Sequence, residues 1–284
     1  MHILKSILVK SSWLLLGRRN LVRLGRFLSN EGRLDVANHP HTNGEYQLQR
    51  DWWRRKDVSG SRVVLDIGAN VGEWSQMLVS QAPHGHDPVA IHAFEPCSDT
   101  HTSLVRNIAE WGLTEVIKAH PMALSSEAGV REFYSFGANK GINGFHPGVD
   151  PATVQQQVEK QEITTDTIDR FCASRHIERV HFIKIDTEGH DLDVIRGAQG
   201  MLAMRKIDVL QFEYNYRWIL AQHFLRDAMH LLKEHQYRIG KVTPRGIELY
   251  DDWHYELETF RECNMLAVSP EVSDFFPVVS WWNS

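Results

Sequence analysis

Val63-Val64-Leu65-Asp66-Ile67-Gly68-Ala69-Asn70-Val71-Gly72-Glu73 is the stretch that decides how this chain folds. Apolar, β-branched residues suited to a buried strand run into a glycine-punctuated turn, and a helix-like segment follows over 72–81. A second block, Ala93-Phe94-Glu95-Pro96, comes roughly 25–30 residues later, the distance of one βαβ step that ends in an acidic ribose partner. The two blocks together predict a ligand containing a nucleoside, bound at the carboxyl edge of a parallel sheet.

Working outward, strands are expected over Val89–Phe94, Glu115–Ala119, His181–Asp186 and Ile207–Glu213. Helices are expected over Tyr46–Arg55, Ser98–Trp111, Asp166–His176, Asp191–Met204 and Phe224–Gln236. Ser98 is read as an N-cap and Gly112 as a stop. Val130–Phe136 and Glu162–Thr165 read as short extra strands around a polar insert, Asn139–Gly148. Its glycines, prolines and aromatics suit either a mobile loop that meets substrate or a plain connection. Three strand-like runs close the chain at Tyr237–Val242, Glu248–Tyr250 and Met265–Val268. Alternating βα units followed by strand pairs predict an α/β fold with a mostly parallel sheet and an antiparallel edge.

At 284 residues and 42% hydrophobic, the chain is expected to form one domain with an appendage. The turn-rich His39–Gly44 suggests a boundary between an amino-terminal segment, 1–45, and the domain, 46–284. A net charge of -5 argues against a nucleic-acid partner. Residues 1–30 nevertheless carry Lys5, Lys10, Arg18, Arg19, Arg23 and Arg26 and no acid. Leu and Ile recur there at helical spacing. That pattern suits a helix lying on an anionic membrane surface, and equally one packed on the body or on a second subunit. The apolar run between Lys10 and Arg18 is too short for a span. Cys97, Cys172 and Cys263 form no metal or disulfide spacing, which fits free thiols in a reducing compartment. The expected location is cytoplasmic, with peripheral contact at the inner membrane surface and a homo-oligomer both compatible with the sequence.

The turn is D-x-G-x-x-x-G, not the G-x-G-x-x-G of a dinucleotide site. Asn70 stands where a middle glycine would, and Asn tolerates left-handed backbone. Glu95, at a strand end, can accept from two ribose hydroxyls, and Pro96 stiffens the turn behind it. Further on, Lys184, Asp186 and Glu188 alternate and so share one side of a strand and its exit. A Lys184–Asp186 structural pair is one reading; a position on the cofactor crevice is the other.

Asp66-Ile67-Gly68-Ala69-Asn70-Val71-Gly72, Phe94-Glu95-Pro96, Thr165-Asp166-Thr167-Ile168-Asp169, Ile183-Lys184-Ile185-Asp186-Thr187-Glu188-Gly189 and Ile195-Arg196-Gly197-Ala198 occur in this order between about Val63 and Tyr214. In this they resemble the FkbM-type S-adenosylmethionine-dependent methyltransferase family. The resemblance implies a Rossmann-like class I methyltransferase fold with a seven-stranded sheet. It also implies S-adenosyl-L-methionine as cofactor and a hydroxyl of a sugar, glycan, glycolipid or natural product as acceptor. Asp66, Gly68, Ala69, Asn70, Val71, Gly72, Glu95, Pro96, Ala123 and Asp186 are then the expected cofactor-binding residues. Asp186, Glu188, His190 and Glu213 form the group from which a base would come. Acids at 186, 188, 191 and 193 suit an oxygen-rich Mg²⁺ site, but acids opening a helix explain Asp191 and Asp193 more simply, and no metal is assigned. The competing readings are a nicotinamide-dependent oxidoreductase and a non-catalytic scaffold recruited to a membrane.

Overall fold

The computed structural model describes residues 2–37, 39–55, 60–85, 88–137, 143–146 and 158–284. In chain order its elements are α1 (His2–Arg33), α2 (Glu45–Trp53), β1 (Arg62–Ile67), α3 (Glu73–Ser80), β2 (Val89–Phe94), α4 (Ser98–Glu110), β3 (Ile117–His120), β4 (Ala123–Leu124), β5 (Gly129–Ser135) and β6 (Glu159–Asp166). There follow α5 (Ile168–Ser174), β7 (Phe182–Ile185), α6 (Asp191–Arg196), α7 (Gln199–Ala203), β8 (Val209–Tyr214), α8 (Leu225–Glu234), β9 (Arg238–Thr243), β10 (Gly246–Tyr250), β11 (Cys263–Val268) and β12 (Val278–Val279).

The main sheet runs β12-β10-β9-β11-β8-β7-β1-β2-β3. Strands β3, β2, β1, β7 and β8 are parallel, and β11 enters antiparallel between β8 and β9. This is the expected Rossmann-like arrangement. The seven strands from β3 to β9 carry two more, β10 and β12, on the antiparallel edge. Strands β4, β6 and β5 form a separate small sheet.

Alternation along β1 and β7 builds two cores. Leu65, Ile67, Ile183 and Ile185 face α5, α6 and α8, where Phe171, Val194 and Leu232 are buried. Val64 and Phe182 face the other way, toward Trp52 of α2, Leu78 of α3 and Leu104 of α4. The reversal of sequential direction between β1 and β7 opens a crevice at the carboxyl ends of these strands.

Two local expectations are corrected. Cys97, not Ser98, caps α4, and it offers no side-chain bond because its thiol is turned to Ser135, 3.7 Å away. The helix expected over Asp191–Met204 is broken in two, because the Gly197 carbonyl accepts from Asp169 N–H at 3.0 Å at the start of α5. Of the polar insert Asn139–Gly148, only 143–146 lie among the described residues. There, a two-way backbone bridge joins Tyr134 and Gly144. Helix α1 bends at Gly17 (φ 69°, ψ 158°) and is held to the body by its last turn. Arg33 pairs with Glu256 at 3.3 Å, and Lys241 Nζ donates to the Arg33 carbonyl at 2.6 Å. No helix is long and apolar enough to cross a membrane among the residues described.

Trp52 shows what fastens α2. It is fully buried, its indole N–H donates to the His181 carbonyl at 3.1 Å, and Arg62 lies over its ring at 4.9 Å. Trp52→Ala is expected to lower stability by about 3–5 kcal/mol, read as a drop in urea midpoint. A change below a few tenths of a kcal/mol would mean that α2 docks by other contacts.

Candidate active site

The turn after β1 is held by backbone bonds. Gly68 and Ala69 N–H donate to the Phe94 carbonyl at 3.0 and 2.9 Å, and Gly72 N–H donates to the Ala69 carbonyl at 2.8 Å. Asn70 adopts the left-handed region, φ 48°. A Cβ on Gly68 (φ 80°) would lie 1.9 Å from the Asp186 carbonyl oxygen, and one on Gly72 (φ 91°) would lie 2.7 Å from Leu104. Both glycines therefore let the turn seat against β7 and α4. A Gly68→Val side chain strikes the protein's own backbone, so loss of fold, and not merely a blocked ligand path, is its first effect.

Glu95 leaves β2 beneath this turn. Asn70 N–H donates to its Oε2 at 3.1 Å and Cys97 N–H to its Oε1 at 2.9 Å. Burial raises its pKa to about 7, against the pull of these two backbone donors. The adjoining pocket is lined by Ile67, Gly68, Asn70, Phe94, Glu95, Pro96, Ala123, Leu124, Phe133, Asn143, Phe145, Asp186, Thr187 and Glu188. Of the expected cofactor residues, Gly68, Asn70, Glu95, Pro96, Ala123 and Asp186 line it. Asp66, Ala69, Val71 and Gly72 are not in its lining.

Asp66 is buried and accepts from Ser75 Oγ of α3 at 2.5 Å. Burial raises its carboxyl to about 6 even with the Lys184 ammonium nearby. Lys184 Nζ lies 2.8 Å from Asp186 Oδ2. Burial alone would lower the Lys184 pKa, but Asp186, Glu45 and Asp66 together hold it raised. Glu45, at the start of α2, accepts from Gln211 Nε2 at 2.6 Å. The Lys184–Asp186 pair is thus one edge of a larger buried network.

At the exit of β7 the acids gather. Asp186, Glu188 and Glu213 each bring a carboxylate oxygen within 4.8 Å of the others, the arrangement of a candidate cation site. Two cations of the chain are already there: Lys184 on Asp186, and Arg217 Nε on Glu188 Oε2 at 2.7 Å. Glu188 is itself left-handed (φ 56°), a conformation a glutamate holds only where its surroundings impose it. Burial and then the Asp186 charge raise Glu188 to about 8, with Arg217 opposing. Glu213 is raised well above the ordinary range, again by burial and then Asp186, while Asn215 Nδ2 donates to it at 2.6 Å. Carboxylates this close share protons rather than all ionise.

His190 does not join them. It is buried, with Nε2 2.9 Å from Ser125 Oγ, Nδ1 3.3 Å from Asp193 Oδ2, and its ring 4.0 Å from that of Phe145. Burial lowers its pKa to about 3, so it is a poor base as well as a misplaced one. Asp193 pairs with Arg196 at 2.9 Å and Asp191 Oδ2 accepts from Gly189 N–H at 3.2 Å; neither is in the three-acid group. Arg217, Asn215, Phe133 and Phe145 are site residues that the motifs do not mark. Phe145 and Asn143 fall in the insert read from the sequence as either a loop that meets substrate or a plain connection.

With this geometry in view, a family profile described as "Methyltransferase FkbM domain" matches residues 66–239, more than half of the chain. The chain belongs to the FkbM methyltransferase family. Among its curated relatives, "31-O-demethyl-FK506 methyltransferase FkbM" of Streptomyces tacrolimicus is 28% identical over 160 residues, 48% of this chain and 59% of that one. "Hexuronic acid methyltransferase AglP" of Haloferax volcanii is 24% identical over 173 residues, 55% of this chain and 64% of that one. The chain thus spans about six-tenths of the length of both relatives. A crystal structure of "Methyltransferase FkbM" from Methylobacillus flagellatus KT aligns with 77% of this chain and 47% of that one, at 16% identity and a TM-score of 0.45.

Removing the cation at the hub of an FkbM-family site leaves buried carboxylates unpaired. Lys184→Met is expected to cost about 3–5 kcal/mol of stability, measured by urea denaturation at neutral pH. A midpoint equal to that of the parent would show that the neighbouring carboxyls are neutral without it.

Proposed function

We propose that this protein is an S-adenosyl-L-methionine-dependent O-methyltransferase acting on a hydroxyl of a sugar, glycan or natural product. The observation that carries the reading is the Glu95 carboxylate at the mouth of β2, bonded to the glycine turn and facing a pocket that ends on Asp186 and Glu188. The donor set suits an adenosyl ligand. Each Glu95 oxygen accepts one backbone N–H and keeps capacity for a ribose hydroxyl. Asn70 Oδ1 is buried with no partner among the described residues, an acceptor open to a ligand's donor. Phe94, Leu124 and Phe133 offer an apolar wall to a base.

Bound S-adenosylmethionine supplies a methyl carbon made electrophilic by its sulfonium. The chain's own task is then to hold an acceptor hydroxyl in line and receive its proton in a site shielded from water. Asp186, Glu188 and Glu213 are the group proposed for that proton, because the three carboxyls crowd together and burial raises the pKa values of Glu188 and Glu213. The substrates named for the two relatives, 31-O-demethyl-FK506 and hexuronic acid, supply the acceptor class. Lys184 and Arg217 already serve as counter-ions, so methyl transfer is expected to persist in EDTA.

Two measurements test the reading. Calorimetric titration is expected to show binding of S-adenosylhomocysteine and none of NADH; the reverse favours the oxidoreductase, and binding of neither favours the scaffold. Glu95→Ala is expected to weaken S-adenosylhomocysteine by about 1.5–3 kcal/mol, roughly 10- to 100-fold. The pH dependence has a definite sign. The ionised Glu95 accepts the ribose hydroxyls, so affinity falls as pH drops through about 7, by up to ~10-fold per unit. Glu95→Gln is expected to flatten that profile, and a parent profile flat from pH 6 to 8 would remove Glu95 from the site.

A further inference from the structure

We propose that α1 docks this protein on an anionic lipid surface; the inference is independent of what the pocket binds. Along α1, Leu21, Leu24 and Leu28 recur at i, i+3 and i+7 with Phe27 beside them, while Arg19, Arg23 and Arg26 occupy the opposite arc. The apolar stripe is not covered by the body: Leu24 is 43% exposed, Phe27 58% and Leu28 59%, and Leu15, on the other side of the Gly17 bend, is 83% exposed. Packing on the body, one of the three roles the sequence suits, is therefore not what this face does.

Among the described residues, only the last turn of α1 is tied down. Arg261 Nη1 donates to Asn30 Oδ1, and Arg33 pairs with Asp35 and Glu256 and lies 5.2 Å from the Trp282 ring. The root of α1 also lies at the edge that carries the pocket. Arg261 just precedes Cys263, which pairs with Tyr214, the last residue of β8.

Charge selects the occupant. Of 31 basic and 36 acidic residues, six basic and no acidic ones fall in residues 1–30, leaving 25 basic against 36 acidic in the rest. An anionic bilayer attracts α1 and repels the body, so contact is confined to the helix. The Leu and Phe stripe enters the boundary between headgroups and acyl chains while the guanidinium groups reach the phosphates. A nucleic acid would use the arginines but leave the stripe in water. The α1 of a second copy would bring six like charges against these six.

The test is co-sedimentation of the full chain with vesicles of phosphatidylcholine alone or mixed equally with phosphatidylglycerol. Binding is expected to the mixed vesicles only, and to fall with added salt. Leu24→Glu with Leu28→Glu, and separately Arg19→Gln with Arg23→Gln, are each expected to lower partitioning about tenfold or more. Their melting temperature is expected to stay at the parent value, since the altered side chains face solvent. Three outcomes overturn the proposal: no partitioning into mixed vesicles; partitioning unaffected by both pairs of substitutions; or, without partitioning, a dimer or an RNA complex that the same substitutions abolish.

Discussion

One buried ammonium holds the carboxyl edge of this sheet together. Lys184 sits among Asp186 of its own strand exit, Asp66 at the end of β1 and Glu45 at the start of α2. Two of these carboxylates are committed elsewhere as well. Asp66 receives Ser75 from α3, and Glu45 receives Gln211 from β8, whose amide also donates to Asn264 of β11 at 2.9 Å. The network therefore fixes two helices and four strands relative to one another at the place where the turn after β1 meets the exit of β7. A buried ion pair adds little net stability over an apolar pair, but breaking it is costly. Its value here is positional: it fixes where Gly68 touches the Asp186 carbonyl, and with that the floor of the pocket.

From that floor the pocket changes character along its length. Phe94, Leu124 and Phe133 line one part, and Phe133 meets Phe145 edge-on at 5.4 Å. The other part ends on Asp186 and Glu188. Such a division separates a region suited to an aromatic base from one suited to proton transfer. The left-handed Glu188 belongs to this division. Its backbone aims the carboxylate at Arg217 on the segment after β8, next to Glu213, so a residue from β7's exit and one from β8's share a proton-binding patch. On the proposed function, the pairing of Glu188 with Arg217 keeps that patch from becoming wholly neutral despite its burial.

Much of this was legible in the sequence because period and punctuation carry it. The strand at 63–67, the turn after it and Glu95 at the next strand end are local features, and the alternation of Lys184 and Asp186 placed both on one side of β7. Where tertiary contacts decide, the sequence was silent or misleading. His190 has the right unperturbed pKa for a base, but its side chain is drawn to Ser125, 65 residues away in the chain. Asp66 is expected among the cofactor residues, and no motif signals the bond it accepts from Ser75 of α3. Arg217 has no motif around it, and only the packing of the segment after β8 onto Gly189 brings it to Glu188. Strand β12 extends the edge beyond β10 because Ile247 and Glu248 have backbone to share with Val278 and Val279, a pairing two residues long that no periodicity signals.

Helix α1 follows a different logic from the rest of the chain. Elsewhere apolar periodicity ends in burial, as in α8, whose Leu225, Ala228, Met229 and Leu232 all pack inward. In α1 the same spacing ends in exposure, although the chain keeps polar and charged groups at the helix root well paired: Asp35 alone meets Arg33, Lys241 and Arg261. A rigidly anchored root with an uncovered apolar stripe is a costly arrangement in water, because burying each such side chain would return about 1.5–3 kcal/mol. The sequence bears that cost while placing six cations and no acid in the same thirty residues. Exposure by accident of packing would explain the stripe but not the segregation of charge, whereas a surface that is apolar inside and anionic outside explains both.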